Sequence, residues 1–149
     1  MTALVQDQGR SFKRITFEQV PLAAGVKAIK GGLAMLITSG LGAGYYAPAA
    51  TAKTGIVKGV FVETVDNTAG SIGAASANVE YGEALYVELV ANDAGGTPVL
   101  VTDRGKVCNA LDDATVTMAA GTCVAGIVHG ISDDGLVEVE VRPMEVIGG

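Results

Sequence analysis

Side chains able to do chemistry are few and scattered in this 149-residue chain. His129 is its single histidine. A nucleophilic centre needs a nucleophile, a base and an acid that orients the base. His129 ends a valine-rich run, Val124-Ala125-Gly126-Ile127-Val128, and no acidic partner is evident. It therefore reads as a half-buried structural residue on the apolar face of a strand. Cys108 and Cys123 have neither CxxC spacing nor a histidine cluster, whereas a zinc site takes about four ligands. Two buried free thiols is the favoured reading, because cysteine is among the most buried residue types. A disulfide stays open at this stage. Asp112-Asp113 has the composition of a catalytic carboxylate couple or a calcium ligand pair. Adjacent side chains on a strand point to opposite faces, so the pair reads as a solvated turn. Gly40-Leu41-Gly42-Ala43-Gly44 is glycine-rich like a phosphate loop. Its spacing departs from the dinucleotide fingerprint, and Tyr45-Tyr46-Ala47-Pro48 does not open a helix. No G-x-S-x-G elbow, P-loop or H-E-x-x-H occurs. The chain reads as a non-enzyme with no catalytic residue, no cofactor and no metal.

Composition narrows the partners. The net charge is −6, and Lys and Arg are dispersed apart from Arg10, Lys13 and Arg14. Binding nucleic acid through phosphates needs a basic patch, so no nucleic acid is expected. Between Lys30 and Lys53 the chain carries no charge, long enough for a membrane span. Gly31, Gly32, Gly40, Gly42, Gly44 and Pro48 interrupt that stretch, so it reads as strand, glycine turn and strand, with no membrane partner. The first residues, Met1 to Asp7, lack the basic and apolar regions of a signal peptide, which implies synthesis in the cytoplasm.

These residues must be positioned by strands. Twenty-one glycines among Val, Ile, Thr and Ala point to short strands and tight turns. The absence of Trp makes the core aliphatic. The organising stretch is Gly55 to Gly70. Ile56, Val60 and Val62 lie on one face of its strand, Val57 and Phe61 on the other, which predicts a central strand covered on both sides. It ends in Asp66-Asn67-Thr68-Ala69-Gly70, a corner where Asx side chains bond their own backbone and glycine supplies positive φ. Further strands are expected at Ile15–Val20, Leu33–Thr38, from Tyr45, Asn78–Tyr81, Leu85–Val90, Val99–Val101 and Thr115–Met118. A hairpin joins Cys123–Ile131 to Leu136–Arg142 through Asp133-Asp134-Gly135, with Gly135 left-handed. That register sets Ile131 opposite Val137, His129 opposite Val139 and Ile127 opposite Val141, with Glu138, Glu140 and Arg142 facing out. Ile56-Val57-Lys58-Gly59-Val60 echoes Val124-Ala125-Gly126-Ile127-Val128, which implies similar strand geometry and is too short to count as a repeat. The fold expected is all-β: a compact antiparallel β-barrel or β-sandwich of short strands over residues 15–149, behind an extended N-terminal arm at 1–14. The trio Arg10, Lys13 and Arg14 is either a solvated charge group or part of an arm lying on an acidic partner.

Several stretches in order resemble the capsid cement, or decoration, proteins of tailed bacteriophages. They are Met1-Thr2-Ala3-Leu4 before a polar arm, Val20-Pro21-Leu22-Ala23-Ala24-Gly25-Val26-Lys27, and Gly32-Leu33-Ala34-Met35. Next come Tyr46-Ala47-Pro48-Ala49, Gly59-Val60, and Val65-Asp66-Asn67-Thr68-Ala69-Gly70. Ala120-Gly121-Thr122-Cys123-Val124-Ala125-Gly126-Ile127-Val128 and Asp134-Gly135-Leu136-Val137 close the series. Residues 79–101 fit that pattern less well. The resemblance implies a β protein on the outer capsid surface of the virion, bridging neighbouring major capsid subunits after the shell expands. It also implies self-association, a trimer favoured over a dimer, consistent with symmetric packing. Competing readings are a tail-tube or head–tail connector subunit and, on a thinner basis of Tyr45, Tyr46, Tyr81 and Tyr86, a carbohydrate or cell-surface binding module. The expected capsid or inter-subunit contacts are Arg10, Phe12, Lys13, Arg14, Ile15 and Phe17 along the arm, and Asp66, Asn67 and Gly70 at the corner. Several modest contacts made at once add through avidity. Removing residues 1–14 should therefore weaken binding to expanded shells in a co-sedimentation assay while the melting transition stays unchanged. Unaltered occupancy would exclude the arm.

Overall fold

The alternating and glycine-punctuated stretches fold into strands in a computed structural model that describes residues 16–81 and 85–141. They are β1 (Thr16–Pro21), β2 (Val26–Ala28), β3 (Leu33–Ser39), β4 (Tyr46–Pro48), β5 (Thr54–Phe61), β6 (Val65–Asn67), β7 (Ser76–Tyr81), β8 (Leu85–Asn92), β9 (Val107–Asp112), β10 (Thr115–Thr117), β11 (Cys123–Ile131) and β12 (Val137–Val141). The only helical element among the described residues is a turn of 3-10 helix at Val101–Asp103. The fold is thus nearly all β, a closed five-strand barrel with outer strands. Arg10, Phe12, Lys13, Arg14 and Ile15, and with them the expected arm, lie outside the described residues, as does Arg142.

The two halves of the chain share one pairing scheme. In the second half β11, β12, β8, β10 and β9 follow one another as neighbours, and β9 pairs back onto β11 to close the ring. In the first half β5 pairs with β7, β7 with β1, β5 with β3 and β3 with β4. The remaining gap is spanned by a parallel bridge between Leu22 and Tyr46, where the Ala23 N–H donates to the Tyr46 carbonyl at 2.8 Å. Taken in chain order, β1, β3, β4, β5 and β7 therefore occupy the places of β8, β9, β10, β11 and β12. Even the parallel contact recurs, since β8 and β10 also run parallel. The halves meet where β5 and β11 pair in parallel, Gly55 beside Cys123 and Ile56 beside Val124. The echo between Ile56–Val60 and Val124–Val128 thus marks equivalent strands of a repeated architecture.

Aliphatic packing follows from that plan. β5 lends Val57 to a large cluster with Leu33, Met35, Ile37, Cys108, Val116, Val128 and Val139. Four residues on, Phe61 enters a second cluster with Val20, Leu22, Ala34, Ala77 and Val79. β5 is central, as expected, with three strand partners. Only the face of Gly55, Val57, Gly59 and Phe61 is fully buried; Ile56, Lys58 and Val60 are half-buried. The ladder with β3 also carries a bulge: Ala34 pairs with Gly59 and Met35 with Val57, which leaves Lys58 as the extra residue. Both cysteines are buried free thiols. Burial raises the Cys108 thiol to about 12 and pushes Cys123 upward as well, so both are neutral sulfhydryls. Cys123 Sγ lies 3.3 Å from Met35 Sδ.

Three local expectations need correction. Val99–Val101 is not a strand. Val99 is buried with its N–H held by Asn92 Oδ1 at 2.8 Å, and Val101 begins the 3-10 turn. The short strands β2 and β6 and the strand β9 were not anticipated; β2 and β6 pair only with each other. The C-terminal hairpin keeps Ile131 opposite Val137, and Gly135 has the expected positive φ of 83°. Beyond that point Val128, not His129, pairs with Val139, and Ile127 meets Glu140. His129 is the extra residue of a bulge, exposed and 3.7 Å from Glu138 Oε1. Its expected place on the apolar face belongs to Val128, because an aliphatic side chain there fills the core without desolvating an imidazole.

Gly59 and Gly126 carry the same constraint in the two halves. A Cβ on Gly59 would collide with the Glu80 carbonyl oxygen and lie 2.8 Å from Val79 Cγ1. On Gly126 it would collide with the Glu140 carbonyl oxygen and lie 2.9 Å from Val139 Cγ1. Each neighbouring backbone can approach only because the side chain is missing. Gly59→Ala and Gly126→Ala should each lower stability by about 1–3 kcal/mol, read from denaturant unfolding. Gly95→Ala, where the added carbon meets nothing within 4 Å, should be near neutral. Wild-type stability of the first two variants would refute the close approach.

Candidate docking surface

The corner after β6 is built from its own side chains. Asp66 Oδ1 accepts the Thr68 N–H at 2.9 Å and the Thr68 hydroxyl at 2.6 Å. The hydroxyl bond first, then the backbone bond, holds the Asp66 carboxyl below its usual range, so the exposed corner carries a fixed negative charge. Asn67 turns the other way and is buried. Its Nδ2 donates to the Ala23 carbonyl at 2.8 Å and the Ser71 carbonyl at 3.1 Å. The Asn67 carbonyl accepts the N–H groups of Gly25 and Gly70. One amide thus fastens the corner to the segment leading into β2. Gly70 does not take the expected positive φ. It is needed because a Cβ there would strike Asn67 Oδ1.

Beside this corner lies an apolar cleft of about 290 Å³ lined by Ala23, Ala24, Leu41, Gly42, Lys53, Ser71 and Ile72. Leu41 stands at the tip of the β3–β4 loop and is 91% exposed, and Ile72 is 43% exposed. The loop is fixed by its backbone: the Gly44 N–H donates to the Ile37 carbonyl at 2.8 Å and the Tyr45 N–H to the Gly42 carbonyl at 2.9 Å. This is the glycine turn read in the sequence, and it leaves Leu41 in solvent.

Comparison of the halves shows what the cleft is made from. Residues 40–45 join β3 to β4, whereas residues 113–114 suffice between β9 and β10. Residues 62–75 join β5 to β7, whereas residues 132–136 suffice between β11 and β12. These two extra lengths border the same cleft; the connection before β9, residues 93–106, is by contrast longer than its counterpart before β3, residues 22–32. The tight turns of the second half close an equivalent ring, so ring closure does not require them.

Of the expected contact residues, only Phe17, Asp66, Asn67 and Gly70 are among the described residues, and these do not form one patch. Phe17 is 64% exposed and pairs with Glu80, at the end of the β1–β7 ladder opposite Pro21 and Ser76. Asp66 and Gly70 lie by the cleft, while the Asn67 side chain is committed to internal bonds. The cleft residues Leu41 and Ile72 were missed, although an apolar residue between glycines, as in Gly40-Leu41-Gly42, has nothing local to pack against. Among the tyrosines, Tyr45 and Tyr46 are half-buried against the core, and burial, then Glu18 and Tyr81, raises the Tyr46 hydroxyl. Burial lowers the Lys58 ammonium, opposed by Glu18. Asp112 and Asp113 form the expected turn, with Asp112 Oδ1 accepting the Ala114 N–H at 2.9 Å. Among the described residues no three His, Cys, Asp or Glu side chains converge as a metal site. No protein-family model, curated protein or solved structure matches the chain.

Asn67→Ala removes two hydrogen bonds and leaves the Ala23 carbonyl without that donor. It should cost about 1–3 kcal/mol in denaturant unfolding. A neutral result would show that the amide does not anchor the corner.

Proposed function

We propose that this chain is a structural virion protein that binds the outside of a tailed-phage capsid and cements neighbouring major capsid subunits. The ordered sequence likeness to decoration proteins supports the family reading. The observation that carries it structurally is the asymmetry between the halves. Two loop extensions, dispensable for ring closure, converge on a cleft that keeps Leu41 and Ile72 in water. Burying one such side chain against a partner contributes about 1.5–3 kcal/mol. A single contact of that size is weak. Repeated at each seam of a shell, or made together with the arm and with further copies of the chain, such contacts hold by avidity. The rigid corner fits the task, because little ordering entropy is lost on docking.

Leu41→Ser and Ile72→Ser together should reduce occupancy on expanded shells lacking the native protein at least about tenfold at limiting concentration, as the loss of two buried apolar side chains implies. Both residues are exposed, so stability should stay within about 0.5 kcal/mol of wild type. Full occupancy by the double variant would remove the cleft from the interface.

A further inference from the structure

The bulge at His129 does more than keep an imidazole out of the core. It places His129 at a second cavity, of about 260 Å³, lined by Arg104, His129, Gly130, Ile131, Ser132, Leu136 and Glu138. The cavity belongs to the second half and draws on different elements from the cleft. Arg104 follows the 3-10 turn, His129 to Ile131 end β11, and Glu138 lies on β12. The guanidinium lies against Gly130: a Cβ built there would be 3.7 Å from Arg104 Nη2 and 3.9 Å from Nε.

The charges in this cavity are unevenly matched. Glu138 Oε1 is 3.7 Å from His129 Nε2, so that carboxylate faces the imidazole. Among the described residues the Arg104 guanidinium has no hydrogen-bond or ion-pair partner, so its five donors are open to a ligand. Ser132 Oγ accepts the Leu136 N–H at 3.2 Å, which leaves its own hydroxyl hydrogen to donate. Ile131 and Leu136 supply apolar wall. A planar guanidinium matches a carboxylate in a bidentate fork. One arginine, an opposing glutamate and an aliphatic wall suit a singly charged acid with a carbon chain better than a doubly charged phosphate. Bulges also recur where a side chain is re-aimed beside a functional site.

We infer that the Arg104–His129–Ser132 cavity is a carboxylate-binding site, in which Arg104 grips the anion, Ser132 donates a hydrogen bond and Ile131 and Leu136 cover the carbon chain. The carboxylate comes either from a small free acid or from an acidic side chain on a docked protein. Glu138 opposes the ligand and limits its affinity. The inference is independent of the capsid reading, because it concerns other residues and is tested on the isolated protein.

The test is an NMR titration of the full chain at pH 7 with butyrate, with inorganic phosphate, and with an acetylated, amidated Gly-Glu-Gly peptide. Butyrate should shift the Arg104 Nε and His129 ring resonances saturably. Arg104→Gln should weaken binding about tenfold, the order expected for one charge-assisted bidentate contact. Glu138→Gln should tighten it about threefold, the order of one partly exposed charge interaction. An equal response to the peptide assigns the site to protein side chains; a response to butyrate alone assigns it to free acids. Unchanged melting of Arg104→Gln separates lost binding from lost fold. No saturable shift, preference for phosphate, or equal binding by wild type and Arg104→Gln would overturn the inference.

Discussion

A carbonyl oxygen pressed against a bare Cα is the contact on which this architecture rests. It occurs at Gly59 under Glu80 and again at Gly126 under Glu140. In each half it lies where the fourth strand of the ring meets the fifth. A side chain at either position would push those strands apart. The strands could not then curl enough for β9 to reach β11, or for β4 to reach the end of β1. The same strands, β5 and β11, also pair with each other. Closure of the rings and their junction therefore depend on two neighbouring strands and two glycines. The small aliphatic core is a consequence. A tightly curled five-strand ring has room for Val, Ala and Leu and for one phenylalanine, Phe61, among its fully buried side chains.

The repeated plan also shows where the molecule departs from it. Two connections that are short turns in the second half are longer in the first, and ring closure does not account for them. They lead to Leu41, Ile72 and the Asp66 corner. The second half departs differently, through a bulge that exposes His129 beside Arg104. Each half thus carries its own surface feature on a shared frame. One is apolar and is proposed as a protein contact; the other is polar and is proposed to take a carboxylate. A stiff scaffold with more than one modest contact surface is the physical requirement for a part that holds neighbours in register.

Much of the frame was legible in the sequence, and the reason is local. The centrality of β5 follows from Ile56, Val57, Val60 and Phe61 pointing both ways. The turn at Gly135, the glycine loop after β3 and the buried thiols follow from residue chemistry within a few positions. What was not legible depended on distant neighbours. β9 reads as Val107-Cys108-Asn109-Ala110-Leu111-Asp112, with no clean alternation, and is a strand because β10 and β11 flank it. Val99 looks like a strand residue but is held by Asn92 across a loop. The bulge at His129 shifts the register by one residue, and no feature of the hairpin turn encodes it. It is set by what fills the core opposite Val139. At the candidate docking surface the corner was recognised from Asp66 to Gly70, while its neighbours Leu41 and Ile72 come together only through the fold. The shared pairing scheme shows in the sequence only as a five-residue echo, because equivalent positions need equivalent volume and curvature, not identical residues.

The proposed cementing role is examined most directly by electron cryo-microscopy of expanded tailed-phage shells with and without this protein. Cementing predicts added density on the outer surface, lying across seams between major capsid subunits, with the Leu41–Ile72 cleft facing a capsid subunit or another copy of the chain. Density confined to the tail or the portal vertex, or shells unchanged by saturating protein, would contradict it.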